Sequence, residues 1–103
     1  IRNANEKVIA RLINEALKAS KNKDYKIALD KLNEAKNILP NYFEIYRVSA
    51  FIKATSGDFL GAEKDYQLGL EIEPDNPRLL YFYAGFLLFQ LDDVENAVFY
   101  ASK

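Results

Sequence analysis

The residues that could carry acid–base chemistry in this chain are carboxylates, lysines and tyrosines, because its 103 residues include no histidine and no cysteine. Proton transfer would fall to neighbouring carboxylates such as Asp92–Asp93, or Glu71 with Glu73. Both sets lie at predicted helix ends, where a carboxylate usually caps the helix or is solvated. The sequence therefore predicts a chain that has no catalytic residue and is not an enzyme.

Metal and phosphate sites are not indicated either. Without cysteine there are no disulfides and no thiolate metal ligands, and no calcium loop or other metal-ligand spacing is present. The four glycines are scattered along the chain, so they form no glycine-rich phosphate loop. We expect no cofactor and no metal. A chain without cysteine is compatible with any compartment, so the sequence leaves its localisation open.

Charge and hydropathy narrow the classes of partner. The formal net charge is −1, and the lysines near the first turn form no basic stripe, so we expect no nucleic-acid binding. The uncharged stretch LLYFYAGFLLFQL, residues 79–91, is shorter than the roughly 20 residues that span a bilayer. We therefore expect no membrane insertion and interpret this stretch as a helix buried on more than one side.

The chain repeats itself at intervals of 34 residues. The segment DYKIALDKLNEAKNILP, residues 24–40, aligns with DFLGAEKDYQLGLEIEP, residues 58–74, and Pro40 pairs with Pro74. A third copy, in LYFYAGFLLFQLDDVENA, follows at an offset of 35, and we place its inserted residue in the turn EPDNPR. Gly57, Asp58 and the two prolines mark helix ends. The pattern predicts helices at about residues 5–21, 24–39, 42–56, 58–72, 77–91 and 93–103.

The period and the recurring small residues resemble the tetratricopeptide repeat family. The matching residues of the middle repeat are Tyr46, Ala50, Phe59, Ala62, Tyr66, Gly69 and Pro74. The resemblance implies an all-α fold, a right-handed α-α superhelix (solenoid) of about three helix-turn-helix repeats. We expect a single domain over residues 1–103, in which repeat one covers about 5–41, repeat two about 42–75 and a partial repeat three about 76–103. We expect the chain to be a fragment of a longer protein.

In the tetratricopeptide family, the first helix of each repeat lines a concave groove that holds a peptide. Carried over by position, the groove residues are Ile13, Leu17, Glu44, Arg47, Phe51, Thr55, Phe82, Phe86 and Phe89. This predicted groove is apolar and aromatic, and Glu44 and Arg47 are its polar handles. It suits an apolar or amphipathic peptide, and the equivalents of the family's carboxylate-binding positions are apolar. The phenylalanines of helix 77–91 are either groove residues or ordinary inter-helix core.

Other faces of the same helices lead to further expectations. We expect Tyr81, Gly85 and Leu88 to pack within their hairpin, and we expect Lys64–Asp65 to face solvent. The aromatic pair Phe99–Tyr100 falls at the position of Lys64–Asp65, and either further chain or another copy would cover it. The predicted function is a non-catalytic protein-interaction module. The alternative is a structural or assembly element that self-associates, or docks within its parent protein, through such apolar surfaces.

Overall fold

All regular structure in the described residues is α-helical. The computed structural model describes residues 2–103, with side chains from Asn5 onward. Over that range it contains six helices: α1 Arg2–Lys21, α2 Tyr25–Ile38, α3 Phe43–Ser56, α4 Phe59–Ile72, α5 Pro77–Phe89 and α6 Val94–Ala101. The prediction of an all-α chain with six helices is confirmed. Within the described residues, none of these helices is long and apolar enough to cross a membrane.

Polar and glycine residues set four of the helix ends, at Gly57, Asp58, Asn76 and Asp93. Gly57 ends α3 in the left-handed conformation, φ 96°, which a side chain would strain. Asp58, Asn76 and Asp93 each accept a backbone N–H from the first turn of the helix that follows. Such caps satisfy amide groups that have no partner inside the helix. The caps therefore fix where α4, α5 and α6 begin.

The helices pack as three hairpins in chain order. The closest pairings are α1 with α2, α3 with α4 and α5 with α6, and each hairpin also packs on the next. The first helices of the hairpins contact one another, α1 with α3 and α3 with α5. In the described part of the chain, the second helices make no such contact with one another. One face of the molecule is therefore built from α1, α3 and α5 side by side.

Two apolar clusters hold the hairpins together. The first joins α1 and α2 to α3 through buried residues such as Leu12, Leu32 and Ile45. The second joins α3 and α4 to α5 and α6 around Tyr66 and Leu79. Burial of apolar area of this kind is the main favourable term in folding. The alanines at the repeated small positions, Ala28, Ala62 and Ala97, are all buried.

The extra residue of the third repeat lies in the turn between α5 and α6. Helix α3 begins at Phe43 and α5 at Pro77, an offset of 34, whereas α4 begins at Phe59 and α6 at Val94, an offset of 35. The α5–α6 turn also contains Asp92 at a positive φ of 55°. Placing the insertion in EPDNPR was therefore wrong. Equivalent positions along α5 lie one residue earlier than the sequence alignment gave.

This shift changes which face of α5 is buried, because one residue turns a side chain by about 100° around a helix. Tyr81 is 75% exposed and Leu88 is 39% exposed, so the expectation that they pack within the hairpin with Gly85 is wrong. The buried residues lie one position earlier, at Leu80, Ala84 and Leu87. They are the equivalents, at an offset of 34, of Tyr46, Ala50 and Lys53.

Asp65 is a second correction, because it is buried rather than solvent-facing. Its side chain accepts the Ser49 hydroxyl at 2.6 Å and pairs with the Lys53 ammonium at 2.9 Å. Both partners lie on α3, so this carboxylate links the two helices of the middle hairpin. A buried charge that is paired and hydrogen-bonded avoids most of its desolvation cost. The neighbouring Lys64 is exposed, as expected.

Candidate functional site

A cleft of about 780 Å³ borders α5 along its length. Its lining is mostly apolar and comes chiefly from α3, α5 and α6; Tyr66 of α4, Asp75, Gln90 and Lys103 complete it. Residues of α3 and α5 in the lining are Phe51, Ala54, Thr55, Pro77, Leu80, Tyr81, Phe82, Ala84, Gly85, Phe86, Leu88 and Phe89. Helix α6 adds Ala97, Val98, Tyr100 and Ala101. Binding sites in proteins are typically apolar concavities of roughly 300–1,000 Å³ with few polar groups.

The cleft brings together five of the nine residues predicted for the groove. Phe51, Thr55, Phe82, Phe86 and Phe89 line it. Ile13, Leu17, Glu44 and Arg47 do not. Ile13 belongs to the core of the first hairpin at 9% exposure, whereas Leu17 lies on the surface of α1.

The phenylalanines of α5 do not share one environment. Phe86 is 4% exposed, and its ring lies 5.4 Å from that of Tyr66 and 6.3 Å from that of Phe59. Phe89, less than one turn later, is 80% exposed. Phe86 is therefore a core residue that borders the cleft, and Phe89 is a surface residue. Phe82 is partly buried beneath the Arg47 guanidinium, which lies 4.5 Å from its ring centre.

The predicted polar handles are paired with each other. Arg47 donates from Nε and Nη2 to the two carboxylate oxygens of Glu44, at 2.8 and 2.9 Å. Arg78 adds a longer contact of 3.4 Å to the same carboxylate. The hydrogen bonds from Arg47 lower the pKa of Glu44, although burial opposes them. Because Arg47 is buried and also covers Phe82, it connects α3 to α5 and leaves little of its guanidinium for a ligand.

Sequence reasoning left many residues of the cleft out of the groove, among them Tyr81, Gly85 and Leu88. These three residues were assigned to the hairpin interior because the inserted residue was placed in the turn between α4 and α5 rather than in the turn between α5 and α6. In the corrected register Tyr81 is equivalent to Arg47, and Gly85 is equivalent to Phe51. The register follows from the observed helix starts at Phe43 and Pro77, which are 34 residues apart, whereas the starts predicted from the sequence, 42 and 77, are 35 apart.

Two tyrosines beside the cleft are unsuited to proton transfer near neutral pH. The rings of Tyr66 and Tyr83 stack at 5.3 Å between centres. Burial raises the pKa of Tyr66 to about 12, an effect that nearby Arg47 opposes. Burial also raises the pKa of Tyr83 to about 12, and hydrogen bonding with Gln67 opposes it. The described residues include no group of histidine, cysteine, aspartate or glutamate side chains arranged to hold a metal ion.

The two residues predicted for self-association, Phe99 and Tyr100, differ in exposure. Phe99 is 54% exposed and is contacted by the Lys103 ammonium, 5.2 Å from its ring centre. Tyr100 turns inward, and its ring lies 4.7 Å from that of Tyr83. The exposed apolar surface of α6 is therefore formed by Phe99 with Val94 and Val98.

Comparison with known proteins identifies no family for this chain. It matches no protein-family model, and a search of curated proteins finds no match. The likeness to tetratricopeptide repeats therefore rests on the repeated residues of the sequence.

Proposed function

We propose that this chain is a non-catalytic protein-interaction module that binds an apolar or amphipathic segment of a partner protein in the cleft. The observation that supports it is the exposure of large apolar side chains along one concave surface. Phe51 is 44% exposed, Tyr81 75% and Phe89 80%. Contiguous exposed apolar surface commonly marks a protein-binding site, and aromatic anchors provide much of the affinity in such sites.

The proposed architecture is a right-handed solenoid of tetratricopeptide type. The order of helix contacts supports it, because α1, α3 and α5 pack side by side while the second helices stay apart. The offset of 34 residues between the starts of α2 and α4, and again between the starts of α3 and α5, supports it further. In such a stack the first helices line the concave side. In this architecture the α3 and α5 residues of the cleft belong to the concave side, and residues of α6 form a further wall of the cleft.

A helical segment suits the cleft better than an extended one. The Thr55 hydroxyl already donates to the Phe51 carbonyl at 2.9 Å, and Arg47 is paired with Glu44. An extended segment would bury backbone N–H and C=O groups against a wall with few free partners, which is costly. A helix satisfies those groups internally and presents only its apolar stripe.

Selection from a displayed library of helical peptides tests the proposed function. The chain is the target, and the double variant Phe51→Glu/Phe89→Glu is the comparison, because both side chains are exposed and their replacement leaves the core intact. We expect enriched peptides to carry apolar residues at i, i+4 and i+7 and to bind the double variant at least about tenfold more weakly. Peptides that bind both proteins equally, or the absence of enrichment, would contradict the proposal.

The second candidate is an assembly element that associates through α6. The supporting observation is the apolar surface of Phe99 (54% exposed), Val94 (54%) and Val98 (59%). Sedimentation velocity over a wide concentration range tests it. Association that Phe99→Glu abolishes would support the assembly function, and a monomer at all concentrations would contradict it.

A further inference from the structure

Gly85 lies in the middle of α5 without a structural reason to be glycine. Glycine inside a helix is destabilising relative to alanine, so a cause is expected. A Cβ at Gly69 would come within 2.9 Å of Leu79 Cδ2, and Gly57 needs its positive φ. A Cβ at Gly61 would collide with the Asp58 cap. At Gly85 a Cβ would meet nothing within 4 Å, and the residue has no positive φ.

The space above Gly85 lies among the exposed aromatic residues of the cleft. Tyr81 and Phe89 are four residues before and after it, on the same face of α5. Phe51 is its equivalent on the neighbouring helix α3, and all of these residues line the cleft. The missing side chain therefore leaves a notch in an otherwise aromatic wall.

We propose that Gly85 is the floor of an anchor pocket for one large apolar side chain, leucine or phenylalanine, of an amphipathic partner helix. This inference rests on the proposed function. It adds that Gly85 determines which side chain of the partner helix the cleft accepts. The wall around the notch is apolar, so the anchor is an uncharged side chain. Burying three or more extra carbon atoms there favours leucine or phenylalanine over alanine.

The charges of the cleft complete the description of the occupant. Asp75 and Lys103 both line it and carry opposite signs. Lys103 is held near the Phe99 ring, and Asp75 precedes the cap of α5. A complementary helix therefore carries one basic and one acidic residue beside its apolar stripe, and charge pairing of this kind selects the orientation of binding.

A host–guest peptide series tests the anchor pocket. The peptides are alanine-rich helices of about 15 residues, with two fixed leucines, one lysine, one glutamate and a central guest residue. The guest is alanine, leucine or phenylalanine. Each peptide is titrated into the isotopically labelled chain, and the backbone amide signals of Gly85 and its neighbours report the binding. We expect the leucine or phenylalanine guest to bind about tenfold more tightly than alanine and to shift the Gly85 signal.

Gly85→Leu fills the notch from the protein side. Because the space is open, we expect this variant to fold and to lose the preference for large guests. Ala10→Leu adds a similar bulk, three carbon atoms rather than four, to an exposed position on α1 outside the cleft, and should leave the preference unchanged. Peptides that bind the cleft without discriminating among guests would overturn the anchor pocket and leave the proposed function standing. If no peptide binds, both are contradicted.

Discussion

At the scale of single residues, neighbouring aromatic side chains of the same helix have different functions. Phe86 is packed among the rings of Phe59, Tyr66 and Tyr83, whereas Phe89 contributes surface to the cleft. Phe86→Ala should therefore destabilise the chain by about 3–5 kcal/mol. Phe89→Ala should change stability by less than about 1 kcal/mol. Urea denaturation of the two variants measures both values, and equal losses would contradict the assignment.

The buried tyrosines predict how stability depends on alkaline pH. The folded-state pKa of Tyr66 is about 12, above the value of about 10 for an unperturbed tyrosine. The folded chain therefore prefers the neutral phenol. This contribution is complete below about pH 10 and is lost as pH rises from 10 towards 12. Ultraviolet titration should show two late-ionising tyrosines that disappear in Tyr66→Phe/Tyr83→Phe. Normal ionisation of all tyrosines before unfolding would contradict the burial.

Asp65 is buried, although the sequence predicted that it would face solvent, and its environment leads to a further prediction. Asp65→Ala leaves Ser49 and Lys53 without their partner, and we expect a loss of about 3 kcal/mol in the free energy of unfolding. Asp30→Ala is the matched control, because Asp30 is exposed and pairs with Lys26, which is also exposed. That control should cost less than about 1 kcal/mol. Similar losses in the two variants would show that Asp65 is not buried.

At the scale of helices, local sequence signals identified the elements, and tertiary contacts decided their register. The residues that end and cap the helices, such as Gly57, Asp58 and Asn76, act within one turn, so the sequence alone can place them. The inserted residue could lie in either of two turns, because both contain residues that suit a loop. The packed face of α5 depends on that choice. The six helices were therefore predicted from the sequence. Of the nine residues proposed for the groove, five line the cleft, but Tyr81 and Gly85 were assigned to the wrong face of α5.

Helix α6 is the shortest of the described helices, and the Asp93 side chain caps its start. Its eight residues are too few to be stable alone. The Asp93 side chain accepts the backbone N–H of Asn96 at 3.2 Å and its side-chain amide at 2.8 Å. Asp93→Ala should therefore increase amide hydrogen exchange throughout α6 while α3 and α4 stay protected. Exchange that rises equally in all helices would show that α6 unfolds only with the whole chain.

At the scale of the whole molecule, the two ends of the stack differ in polarity. The outer positions Arg11, Asn14 and Lys18 of α1 are exposed, whereas the α5 and α6 end exposes Phe89, Val98 and Phe99. A stack with one polar end and one apolar end can associate at the apolar end alone. The proposed partner binding in the cleft and the alternative proposal of association through α6 therefore involve the same end of the molecule.

The central claim is that α1, α3 and α5 lie side by side and form one continuous face. Because the chain has no cysteine, cysteines can be introduced in pairs and joined with a short bismaleimide. Adjacent packed helices lie about 8–10 Å apart. The pairs Leu17→Cys/Phe51→Cys and Phe51→Cys/Gly85→Cys should cross-link within one molecule, and Leu17→Cys/Gly85→Cys should not. Efficient cross-linking of that last pair, with failure of the other two, would contradict the arrangement of helices on which the cleft depends.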